Sequence, residues 1–161
     1  MPSPKPLDVS DALQDIHAPG NRCFGCGPAN EKGLRIKSRV VGDEVVADFN
    51  PEPHHQAIGS ILNGGILSTL LDCHSAWTAA YHLMKAKGLD TPPCTVTSEL
   101  HIKLRRPTSL HQTVHLKAQI VSIEGDKAVV DAKVFSEGKE TASCRGVFIA
   151  VPEGHPAYAP W

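Results

Sequence analysis

Residues 63–88 read NGGILSTLLDCHSAWTAAYHLMKAKG, and the two ends of this stretch are as informative as its middle. Asparagine is a favoured N-cap because its side-chain oxygen accepts from the unpaired amides of a first turn, which places Asn63 just before a helix. Lys85 and Lys87 suit the negative end of a helix dipole, and Gly88 suits the left-handed position beyond a C-terminus. The spacing predicts one helix over Gly64–Lys87, about 35 Å long at ~1.5 Å per residue. At about 100° per residue, Ile66, Leu67, Leu70, Trp77, Tyr81 and Met84 share a broad apolar face. The opposite side carries Ser68, Asp72, Ser75, Ala76 and Ala79, all small apart from one carboxylate. A solvated face would carry lysine and glutamate instead. The helix is therefore expected to be covered on both sides, by a sheet on one and by a second protomer on the other.

Around this helix the hydrophobic period drops to two. Leu34, Ile36 and Val40 precede a Gly42-Asp43 turn, and Val45, Ala47 and Phe49 return from it towards Pro51 and Pro53. Beyond the helix, Val96, Leu100, Ile102 and Leu104 lie on one side of a strand that stops at Pro107. Three more stripes follow: Val114, Leu116, Ala118 and Ile120; Ala128, Val130, Ala132 and Val134; then Ala142, Cys144, Phe148 and Ala150. Gly125-Asp126 and Gly138 mark the turns between them, and connections this short require antiparallel pairing. The expected architecture is α+β, a long central helix wrapped by an antiparallel sheet of about six strands in the order ββαββββ. One domain is expected over residues 22–151. A mobile, proline-containing lead-in over 1–21, with a short helix over 9–16, precedes it, and a tail over 152–161 follows.

The 161 residues fit a single domain with one sizeable core. Hydrophobic residues make up 41% and charged residues 20%, and the net charge of −1 offers nucleic acid or an anionic membrane no electrostatic purchase. No apolar run approaches the ~20 residues of a membrane span, and the first twenty residues lack a signal peptide's apolar centre. Five cysteines without an export signal point to free thiols, hence to the cytoplasm. Cys23-x-x-Cys26 has the spacing of half a zinc site, with His17 available as a third ligand, but the sequence offers no second such pair. A small-residue turn is the expected role, with no metal and no cofactor.

Residues 55–66, HQAIGSILNGGI, with Leu70-Leu71-Asp72 beyond them, resemble the PaaI-like (phenylacetic-acid-degradation type) acyl-CoA thioesterases of the hot-dog superfamily. The signature of that group is His-Gly-Gly at the start of the central helix, with an acidic residue eight positions after the first glycine. Gly64 and Asp72 keep this spacing. The opening Cys23-Phe24-Gly25-Cys26-Gly27 with Asn30 and Gly33-Leu34 is similar too, as is the third strand where it runs into Arg105-Arg106-Pro107-Thr108. The resemblance covers residues 22–151. It implies a hot-dog fold, hydrolysis of an acyl-CoA, and a homodimer or dimer of dimers with sites shared between chains. Two departures stand out: Asn63 occupies the usual histidine position, and Ala57, beside Gln56, falls where some relatives carry an asparagine.

Thioester hydrolysis needs a polarised carbonyl and a water or carboxylate delivered to its carbon. Free amides at Gly64 and Gly65 suit the first task, because helix N-termini present aimed donors with partial positive charge. Asn63 can cap the helix or bond the thioester oxygen. Asp72 suits the second task, as general base on water or as direct nucleophile. Eight helical residues put it about 12 Å from the Gly64 amide, too far for one carbonyl to touch both, so a partner chain must supply one of them. His55 and Gln56 are expected to line the pocket, Thr97 to face the acyl group, and Lys103, Arg105 and Arg106 to meet the coenzyme A phosphates. His74 lies about 160° around the helix from Asp72, so a core or interface position is expected for it. Two other functions fit the same fold. A hot-dog enoyl-thioester hydratase or dehydratase would pair a histidine with an acid, and His55 lies 17 residues before Asp72. A non-catalytic acyl-CoA-binding module would need neither.

Overall fold

Residues 12–161 are described by the structure, a computed structural model. The elements run α1 (Leu13–His17), β1 (Arg39–Val41), β2 (Glu44–Phe49), a 3-10 turn (Pro53–His55), α2 (Gly64–Lys87), β3 (Thr95–Leu104), β4 (Val114–Glu124), β5 (Lys127–Ser136) and β6 (Lys139–Ala150). The strands form one antiparallel sheet in the order β1-β2-β4-β5-β6-β3, curled about α2 as predicted.

The ends of α2 fall where local chemistry puts them. Asn63 Oδ1 accepts from the Gly65 amide at 2.8 Å and the Ile66 amide at 3.2 Å. Gly88 takes a left-handed φ of 65°, and its amide donates back to Lys85. Leu67, Leu70, Leu71, Trp77 and Leu83 are buried against the inward stripes of β4, β5 and β6, which comprise Val114, Leu116, Val130, Val134, Ala142 and Phe148 among others. No helix among the described residues is long and apolar enough to cross a membrane.

Several expectations need correction. Leu34 and Ile36 are buried, but their amides donate to Phe24 and Gly25 and not to β2. Arg35, at φ 52°, bends the chain out of the strand, so β1 shrinks to three residues. The small-residue side of α2 does not all await a second chain. Ser75 and Ala79 are buried, with Ser75 Oγ 3.5 Å from Cys144 Sγ on β6, because small side chains let the helix lie close on the strands. The stripe left partly open is Gly65, Ser68, Thr69, Asp72 and Ala76. In β3 the register against β6 slips between Thr97 and Glu99, a bulge with Ser98 as the additional residue. Thr97 therefore pairs with the inward-facing Phe148 and Leu100 with the inward-facing Gly146, while Val96 pairs with Ile149 and leaves the predicted inner stripe.

Part of the expected lead-in, up to residue 11 and including the start of the 9–16 helix, lies outside the described residues. The remainder is docked rather than loose. Ala12, Leu13, Gln14 and Ala18 are buried, and the Gln14 amide bonds both the hydroxyl and the backbone of Ser38. Ser38 Oγ lies 2.8 Å from Nδ1 of His74, whose Nε2 lies 2.8 Å from the Val45 carbonyl oxygen. His74 is a fully buried core histidine, and burial pulls its pKa down to about 4. From the tail, Trp161 stacks on Trp77 at 4.5 Å and donates its indole N–H to Pro92.

Candidate active site

Asp72 sits on the partly open stripe of α2, half-buried, and Thr97 Oγ1 donates to its Oδ1 at 2.7 Å. The bulge at Ser98 makes this bond possible, because it turns Thr97 to the helix side of β3. Burial raises the Asp72 pKa, the threonine bond opposes that rise, and neighbouring Cys23 adds to it. The carboxylate opens on a cavity of about 170 Å³ whose wall includes Cys23, Cys73, Ala76, Trp77, Thr95 and Thr97.

The start of α2 opens elsewhere. A groove of about 300 Å³ is lined by Gly64, Leu62, Leu67, Leu104, Arg105 and Arg106. Its amide donors are fewer than the sequence promised. The Asn63 cap takes the Gly65 and Ile66 amides, whereas the Gly64 amide has no acceptor among the described residues. The two glycines are not equivalent to substitution either. A Cβ on Gly65 would crowd Asn63 Oδ1 at 2.9 Å, whereas one on Gly64 would meet only the end of the Leu104 side chain at 3.1 Å. Gly65 thus serves the cap, and Gly64 is the open donor.

The other expected contacts divide. Arg105 and Arg106 do line the Gly64 groove, with Arg105 steadied by Ser143 Oγ at 3.3 Å and by Glu140 at 3.9 Å. His55 lines neither the Asp72 cavity nor the Gly64 groove. It is 5% exposed, its Nδ1 accepts from the Glu52 amide at 3.0 Å, its ring lies 5.5 Å from that of Phe49, and its carbonyl accepts from the Asn63 amide. The 3-10 turn commits this histidine to fixing the approach to α2. Gln56 is exposed and donates to the Gly59 carbonyl of its own loop, so Ala57 reaches the groove in its place. Lys103 is exposed on β3.

Asp72 with Thr97 and Gly64 with the two arginines therefore face two cavities that share no lining residue. Within one chain the two groups open on separate cavities. Sequence reasoning passed over Cys73, which stands beside Cys23 and Cys26 in the Asp72 cavity; no local spacing signals a neighbour that arrives across the fold.

Residues 59–143, just over half of the chain, match the thioesterase superfamily. Acyl-coenzyme A thioesterase THEM4 of Bos taurus is 27% identical over 103 residues, which is 63% of this chain but only 38% of that protein. A thioesterase superfamily protein from Shewanella loihica, 26% identical, superposes with a TM-score of 0.65 over 82% of this chain and 96% of its own. The PaaI protein of the E. coli phenylacetic acid degradation operon shares the fold at 19% identity, with a TM-score of 0.63 over 74% of this chain and 81% of its own.

Proposed function

Because the chain belongs to the thioesterase superfamily, we propose that it hydrolyses the thioester of an acyl- or aryl-acyl-coenzyme A. Asp72 is the catalytic carboxylate. Its Oδ1 is held by Thr97, which leaves Oδ2 to take a proton from the attacking water or to attack the carbonyl itself. The Gly64 amide of a partner chain polarises the carbonyl, and Arg105 and Arg106 beside it meet the nucleotide phosphates. Water adds to the carbonyl carbon, the C–S bond breaks, and the proton passes to the departing coenzyme A thiolate. The products are a carboxylate and free coenzyme A.

The observation that carries this reading is the division of the site. The carboxylate and the open amide stand on one rigid helix, about 12 Å apart and facing separate cavities. Cooperation on one thioester requires two chains. The free edge of β3, ten residues long at the end of the sheet, offers a place for such pairing. A homodimer, or a dimer of dimers, follows. Unpaired cysteines suit the reducing cytoplasm.

Two histidines near Asp72 in the sequence give no support to a hydratase or dehydratase within one chain. His74 is bonded in the core to Ser38 and Val45, and His55 is committed to Glu52, so neither serves Asp72 as a proton-transfer partner. The test is free-thiol release across an acyl-CoA panel, with wild type beside Asp72→Asn. Wild type is expected to release thiol, and the variant to lose about 10²–10⁴-fold. Undiminished release by a folded Asp72→Asn chain removes the assigned carboxylate. Ligand-induced thermal stabilisation with no release on any thioester means a binding module instead.

A further inference from the structure

Three sulfurs converge beside Asp72. Cys23 and Cys26 come from the loop ahead of β1 and Cys73 from α2, and all three sulfurs lie within 4.8 Å of one another. The Cys23 and Cys73 sulfurs are 3.8 Å apart. A disulfide would bring them to about 2.05 Å, whereas two thiolates at ~2.3 Å from a tetrahedral ion stand about 3.8 Å apart. The observed separation matches such an edge and is too long for a disulfide.

The surroundings support charged sulfur. The Trp77 indole N–H donates to Cys26 Sγ at 3.3 Å. N–H donors directed at ligand atoms are the outer shell that a metal–thiolate centre requires. The backbone is shaped to the same end. A Cβ on Gly25 would overlap Cys73 Sγ, and a Cβ on Gly27 would overlap the Cys23 amide, so glycine at both positions lets the loop curl around the third sulfur. Among the described residues no histidine or carboxylate joins the cluster, and all three cysteines border the cavity that holds Asp72.

We propose that Cys23, Cys26 and Cys73 bind one thiolate-preferring divalent ion, zinc being the expected occupant, with the fourth position open to the cavity and filled by water. Binding releases the thiol protons to solvent and forms three metal–sulfur bonds. The ion ties the loop to α2 one residue from the candidate catalytic carboxylate.

The test uses the full chain, reduced, stripped with a chelator and titrated anaerobically with Co²⁺. One equivalent should produce a thiolate-to-cobalt charge-transfer band and tetrahedral visible bands, and one equivalent of Zn²⁺ should bleach them. Cys73→Ser and Cys23→Ser should each lose the signal and weaken Zn²⁺ binding more than about 100-fold, beyond the loss that outer-shell changes bring. Cys94→Ser, outside the cluster, should behave as wild type. Circular dichroism verifies the fold of each variant, and the exposed Cys23 keeps the test open if Cys73→Ser fails to fold. A reduced wild type with no thiolate–cobalt band overturns the proposal, as does a band that survives in a folded Cys23→Ser or Cys73→Ser chain. Neither outcome bears on thiol release, so this site and the hydrolase reading stand or fall separately.

Discussion

Mixing Asp72→Asn chains with Gly64→Val chains measures whether the site is shared. The rise of α2 separates the two groups by about 12 Å, whereas a carbonyl held by a hydrogen bond on one side and attacked on the other spans only about 6–7 Å. In the proposed dimer each site takes Gly64 from one chain and Asp72 from the other. Asp72→Asn damages both sites of its homodimer, with an expected loss of about 10²–10⁴-fold. Gly64→Val covers the open amide, with a loss of about 10²–10³-fold. A Cβ there meets only the tip of Leu104 and not the Asn63 cap, and circular dichroism verifies that the helix survives the valine. In a heterodimer one site carries both lesions and the other carries neither. Random one-to-one assembly makes half of the dimers mixed, so recovery should reach about one quarter of wild-type activity per chain. The assay is thiol capture from an acyl-CoA after co-refolding, with differently tagged chains proving that mixed dimers formed. Verified heterodimers no more active than the average of their parents would refute the reasoning.

Thr97→Val removes the bond that opposes the burial-driven rise of the Asp72 pKa, so the acid limb of the kcat/KM profile should move to higher pH while the thermal midpoint stays nearly constant. Asn63→Ala frees two helix amides and should cost about 1 kcal/mol in urea unfolding. Alanine at both Arg105 and Arg106 should raise KM for full coenzyme A thioesters about tenfold or more, yet leave truncated thioesters without the nucleotide unchanged. His74 is held neutral in the native state with its pKa near 4, against 6.5 when unfolded. The unfolded chain thus takes up the additional proton, and stability present above pH 6.5 declines through that window by up to about 3 kcal/mol. Urea midpoints recorded across this range should fall less steeply for a folded His74→Gln chain.

Local chemistry made α2 readable. Asn63, Lys85, Lys87 and Gly88 act on the backbone within a turn of themselves, so the helix ends needed no knowledge of the fold. The inward stripes of β4, β5 and β6 were equally plain, because burial on one face enforces alternation over ten or more residues. Reading failed where a residue's role depends on something distant. His55 looks like a pocket residue until Glu52 and Phe49 close on it. The Gly65 amide looks free until Asn63 takes it, although the same capping that located the helix implied as much. Ser75 and Ala79 resembled an interface, but their smallness served the sheet of their own chain. Cys73 gave no sign of two cysteines waiting across the fold.

Ser98 exerts an influence far beyond its size, because one uncounted position transposes the two sides of β3. Draw that serine into a regular ladder, and Ser98 would stand opposite Phe148 while Thr97 turned away from Asp72, every residue towards Leu104 keeping its place. A related sequence aligned by simple counting through this strand would be assigned the wrong lining for its cavity. The pairing register of this strand, as much as the identity of its residues, decides which side chain lies beside Asp72.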